Sequence, residues 1–149
     1  MGNVPVPNPW ADAEGGAGNG RLRRPVKVWH PEEMNPAFAA AVNSGDVENL
    51  LALYESDALL AARPGERARG ADEIRAALEG LLALGGTMES RNVYCMQVEG
   101  IALLQAEWRL VTTMPDAPPL ELTSRTAEVV RRQPDGSWLY VVDHAFAND

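Results

Sequence analysis

The chain has 149 residues, 46% hydrophobic and 23% charged, the size and make-up of one soluble domain able to bury its own core. Its formal net charge of −8 is uneven: Arg21, Arg23, Arg24 and Lys27 outweigh Asp12 and Glu14 in residues 1–30, so the remainder carries −10. A body that acidic repels phosphate backbones and argues against nucleic acid as a partner.

No apolar run approaches the roughly 18 residues that span a bilayer, and the first residues, "MGNVPVPNPW", lack the basic and apolar regions of a secretion signal. Cys95 stands alone, so no intrachain disulfide forms; a cytoplasmic location with no membrane partner is expected. Residues 1–30, rich in Pro, Gly and Asn, read as an irregular arm with Trp10 and Trp29 as its large anchors. The domain proper is expected over 31–149.

Helical signals come next. Asn35 is placed to cap a helix that starts at Pro36 and stops at Gly45. Asp46 is placed to cap a second, "VENLLALYE", with Leu50, Leu53 and Tyr54 on one stripe. After a short apolar strand and the loop "RPGERARG", a third helix carries Ile74, Leu78, Leu81 and Leu82 on one face and ends at Gly85-Gly86. Strands follow over 89–99, 101–114, 120–132 and 137–147, giving an α+β architecture with helices packed on an antiparallel meander.

The strands carry the chemistry. In "LQAEWRL", Leu104, Ala106, Trp108 and Leu110 share one face, while Gln105, Glu107 and Arg109 share the other. In the next strand Leu120 and Leu122 point in. The same phase turns Ser124, Thr126, Glu128 and Val130 inward and Arg125 and Arg131 outward. A carboxylate on that apolar face is desolvated and its pKa rises; a bulge between 123 and 128 would instead turn it out. Glu107, Arg109, Glu121 and Arg125 form cross-strand pairs on the outer face. "WLYVV" is apolar on both faces and cannot be phased, but Asp143 and His144, as strand neighbours, must face opposite ways. His30 and His144 lie in no metal-ligand spacing, and no phosphate loop or nucleophile motif is present, so neither metal nor cofactor is expected.

"FAAAVNSGDVENLLALYESDALLAARPG", "RGADEIRAALEGL" and "TSRTAEVVRRQPDGSWLYVVDHAF", within residues 36 to 147, resemble the nuclear-transport-factor-2-like superfamily, which includes ketosteroid isomerases and SnoaL-type polyketide cyclases. The resemblance implies an NTF2-like (cystatin-like) cone: a curved antiparallel sheet wrapped around helices, with an internal apolar pocket, in a homodimer built on the sheet's outer face. It puts Ala62 where the isomerases have their general base and Phe38 where they have the oxyanion-binding Tyr. Of the two supporting tyrosines, one is kept as Tyr54 and the other falls on Leu78. The second oxyanion donor, an acid that those isomerases keep protonated by apolar surroundings, falls on Glu128. The resemblance also turns Leu139, Val141, Asp143 and Ala145 inward and His144 outward.

Steroid isomerisation by the usual route is therefore not expected. The site reading is Glu128 and Asp143 as an acid–base pair, with Phe38, Tyr54, Ala62, Leu78, Trp108 and Thr126 around the ligand. Arg63, Arg67 and Arg69 are solvated or stand at the entrance. The expected activity is cofactor-free isomerase, cyclase or dehydratase chemistry on a small, largely apolar carbonyl compound. The alternative is a noncatalytic ligand-binding or dimerisation module.

Overall fold

The computed structural model describes residues 25–147. Most of the expected N-terminal arm, including Trp10, and the last two residues lie outside that range. Residues 25–30 run as irregular chain. Val28, not Trp29, anchors them: it is buried and accepts a hydrogen bond from Trp138 N–H at 2.8 Å, whereas Trp29 is exposed.

A 3-10 turn, Pro31–Glu33, leads into α1 (Met34–Ser44), which ends at Gly45 with φ 73°. The helix begins before Asn35, so that residue is no cap; its side chain is buried. Asp46 does cap α2 (Val47–Leu51), its Oδ1 accepting Glu48 N–H at 2.9 Å. That helix is shorter than expected, and Tyr54 belongs to the strand β1 (Tyr54–Ala61), not to a helical stripe. After β2 (Ala68–Arg69), α3 (Gly70–Ala83) buries Ile74 and Leu78, with Leu81 and Leu82 partly covered.

The remaining strands are β3 (Thr87–Val98), β4 (Ile101–Val111), β5 (Glu121–Arg125), β6 (Ala127–Arg132) and β7 (Trp138–His144). The sheet has seven strands in the order β2-β1-β7-β6-β4-β3, with β5 also paired to β4. It is more than a meander, because β1 returns parallel to β7. α1 packs on β3 and α3 on β1, so both helices close over one face of the curved sheet.

Two irregularities set which side chains face inward. The expected strand 120–132 is interrupted at Thr126, yet the ladder to β4 survives. Thr126 N–H donates to the Ala106 carbonyl, and Thr126 Oγ1 accepts Ala106 N–H, both at 2.9 Å. The hydroxyl replaces a missing backbone acceptor, and the inward phase of Ser124, Thr126, Glu128 and Val130 is kept. Leu120, expected inside, is exposed, and Leu122 is 36% exposed although it lines the cavity described below.

In β7, Tyr140 pairs with Val130 and Val142 with Val129, leaving Val141 as an extra residue. Trp138 and Tyr140 therefore face inward before this bulge and Asp143 after it. Leu139 and Val141, expected inside, are only half-buried.

On the outer face, Arg109 bridges Glu89 and Glu121, and Glu107 bridges Arg91 and Arg125. Farther along the same strands, Met96 pairs with Leu103 and Val98 with Ile101, and all four are exposed.

Candidate active site

The sheet and helices enclose a cavity of about 210 Å³. That is below the roughly 300–1,000 Å³ of sites for drug-sized molecules and suits a compact ligand. Most of its wall is apolar, including Phe38, Leu60, Leu78, Trp108 and Leu110. Trp108 is held by its ring N–H donating to the Ala145 carbonyl at 2.8 Å and by an edge contact with Phe146. Among the described residues Arg63, itself exposed, is the one cationic side chain of the lining, while Arg67 and Arg69 stand outside it.

Glu128 and Asp143 both line this cavity, and they are direct cross-strand partners on β6 and β7. Such partners bring their Cβ atoms within about 5 Å. Glu128 is 1% and Asp143 5% exposed. Their surroundings differ. Tyr54 donates its hydroxyl to Asp143 Oδ2 at 2.5 Å, a bond that favours the ionised form. Glu128 Oε2 accepts from Asn35 Nδ2 at 3.1 Å, and Glu128 Oε1 is buried with no partner among the described residues. Tyr140 in turn donates to Asn35 Oδ1 at 2.7 Å.

Burial pushes the Glu128 carboxyl up to about 8, helped by the negative charge of Asp143 and opposed by the polar side chains of Thr126 and Asn35. Asp143 is raised to about 6 by burial, with the Tyr54 hydroxyl pulling the other way. Both carboxyls are thus held above their ordinary range, and the Tyr54 hydroxyl favours placing the first negative charge of the pair on Asp143.

Phe38, Ala62, Leu78, Trp108 and Thr126 all line the cavity. Tyr54 does not: it stands behind Asp143 and orients that carboxylate, so its expected place in the ligand pocket is corrected. His144 lies half-buried outside the cavity lining. Two residues that sequence reasoning missed are Asn35 and Tyr140. Asn35 shares the spacing of Phe38, Ala39 and Val42 on the inner face of α1, a signal hidden by its plausibility as a cap. Tyr140 was masked by the two-sided apolar run of β7. Among the described residues no cluster of His, Cys, Asp and Glu could hold a metal ion. No helix there is long and apolar enough to cross a membrane.

Residues 36–141 match the SnoaL-like domain family. The chain belongs to that family. None of the curated proteins matches this SnoaL-like domain in sequence. Solved structures share its fold. A candidate calcium/calmodulin-dependent protein kinase type II association domain from Thiobacillus denitrificans superposes with a TM-score of 0.67 at 18% identity, over 81% of this chain and 97% of that one. A ketosteroid isomerase-like protein from Erwinia carotovora atroseptica gives 0.62 at 22% identity, over 75% and 88%. A candidate dehydratase of the NTF2-like family from Streptomyces avermitilis gives 0.64 at 19%, over 76% and 90%. These likenesses place the SnoaL-like domain in the NTF2-like, cystatin-like fold.

Proposed function

We propose that the cavity binds a small, largely apolar carbonyl compound and that Glu128 and Asp143 move a proton on it, in an isomerase, cyclase or dehydratase reaction. The observation that carries this reading is the pair itself: two buried carboxyl groups, facing each other in an apolar cavity, with unlike partners. Asp143, ionised first, removes a proton from carbon next to the carbonyl. Glu128 donates its proton to the carbonyl oxygen as negative charge develops there, giving an enol. Return of protons in the reverse roles, or loss of a leaving group from the enol, completes an isomerisation or a dehydration. No metal or cofactor enters this scheme.

The test is a thermal-shift screen of small ketones, aromatic polyketides and keto acids, followed by turnover assays on the compounds that bind. Stabilisation of the native chain that changes in Glu128→Gln, with turnover abolished by Glu128→Gln and by Asp143→Asn, supports the reading. Binding and turnover indifferent to both substitutions defeat it.

Ala62 and Phe38 favour a second reading, a noncatalytic binding module. They put apolar groups where the isomerases have a base and an oxyanion donor. Binding without turnover would support it. The exposed pairs Met96–Leu103 and Val98–Ile101 support assembly as a homodimer through the outer face of the sheet.

A further inference from the structure

The hydrogen bonds behind Glu128 form a directed chain. A phenol has one proton to give, and the acceptor of the Tyr140 hydroxyl proton is Asn35 Oδ1. With Oδ1 turned to Tyr140, the Asn35 amide must present Nδ2, a donor, to Glu128. An oxygen that receives a donor is the acceptor end of the carboxyl group. Glu128 Oε2 is therefore the carbonyl-type oxygen, and Oε1, buried and with no hydrogen-bond partner among the described residues, is left for the hydroxyl. The opposite amide orientation would turn Nδ2 toward Tyr140 and leave the buried Tyr140 hydroxyl proton without its acceptor, a costly arrangement.

We propose that Tyr140 and Asn35 are positioning residues that fix the proton of Glu128 on Oε1, so that the cavity selects a ligand presenting a hydrogen-bond acceptor to that atom. The inference rests on the reading of Glu128 as the acid and adds which oxygen donates, what holds it there and what the ligand atom must be. A carbonyl oxygen fits. A group that can only donate does not, because Glu128 Oε1 carries its own proton. The titratable groups around Glu128 are Asp143 and Tyr140 from β7 and Tyr54 from β1; α1 contributes the neutral Asn35.

Nuclear magnetic resonance on the full chain tests this without a ligand. The Glu128 side-chain carboxyl carbon, assigned by its loss in Glu128→Gln, is titrated, and contacts of the Asn35 side-chain amide protons are measured at pH 6. The expected result is a midpoint well above the ordinary carboxyl range, with the amide protons close to the Glu128 methylene hydrogens. In Tyr140→Phe the released amide can turn Oδ1 toward the acid proton, which favours the neutral form. The midpoint should then rise by an amount equal to an about threefold or larger gain in proton affinity.

If the wild-type midpoint lies in the ordinary range, the acid reading itself falls. If the midpoint is high but the amide protons contact the Tyr140 ring, the positioning chain is overturned while the acid reading stands. A Tyr140→Phe midpoint that stays in place has the same meaning. The wild-type contacts decide the orientation even if the Tyr140→Phe chain fails to fold.

Discussion

Glu128 and Asp143 face each other across β6 and β7, and the same burial raises both of their proton affinities. In the unfolded chain these groups release protons near 4.3 and 3.9. The folded protein holds them to about 8 and about 6. As pH rises through that interval the unfolded state binds fewer protons than the native state, so stability falls. The loss is at most about 1.4 kcal/mol per pH unit for each group, complete for Asp143 near pH 6 and for Glu128 near pH 8. Urea unfolding at pH 5, 7 and 9 should show this decline, and Glu128→Gln should flatten its upper part.

Turnover in the proposed reaction should follow a bell. The proposed reaction needs Asp143 ionised and Glu128 protonated, which puts the expected plateau between about pH 6 and about pH 8. Both limbs belong to the pair, since neighbouring carboxyls titrate together. A pH–rate profile of kcat/KM checks the two limbs.

Tyr54→Phe removes the hydroxyl that stabilises the Asp143 carboxylate. The acidic limb should move to higher pH, and stability should drop by about 1–3 kcal/mol, because the buried Oδ2 loses its partner. Paired rate profiles and denaturation curves separate the two effects.

Much of this fold was legible in the sequence because hydrophobic period reports burial directly. The alternation through Trp108 is strict, and the phase carried forward from Leu122 correctly turned Glu128 inward. Two kinds of information were not legible. A residue suited to two tasks gives no local clue to which it performs, and so Asn35 was read as a cap. Apolar residues on both faces of a strand erase the period and hide Tyr140, and the resemblance that turns Leu139 and Val141 inward does not carry the bulge at Val141. The parallel return of β1 to β7 is a long-range pairing with no local sign.

Gly86→Ala should destabilise by about 3 kcal/mol. Gly86 has φ 91°, and a Cβ there would lie 1.7 Å from the Val111 carbonyl oxygen. Either β3 moves away from the end of β4 or the left-handed conformation is abandoned. Thermal unfolding by circular dichroism measures the cost.

Met96→Glu combined with Val98→Glu should yield a monomer while leaving the cavity intact, since both side chains are exposed on the outer face. Sedimentation velocity of native and altered chains gives the answer. A native chain that already sediments as a monomer would defeat the dimer proposal.

The extra residue at Val141 has a consequence for how this chain tolerates change in length. Tyr140 already stands opposite Val130, Val142 opposite Val129 and Asp143 opposite Glu128, so the ladder on β6 is complete without Val141. A shortened chain lacking Val141 would run as a regular strand with Tyr140 and Asp143 still turned inward. Smoothing the bulge while keeping the residue would do the reverse, carrying Asp143 to the outer surface and bringing the imidazole of His144 inside in its place. The chemistry of the cavity thus depends on parity along β7 and not on the number of residues in it.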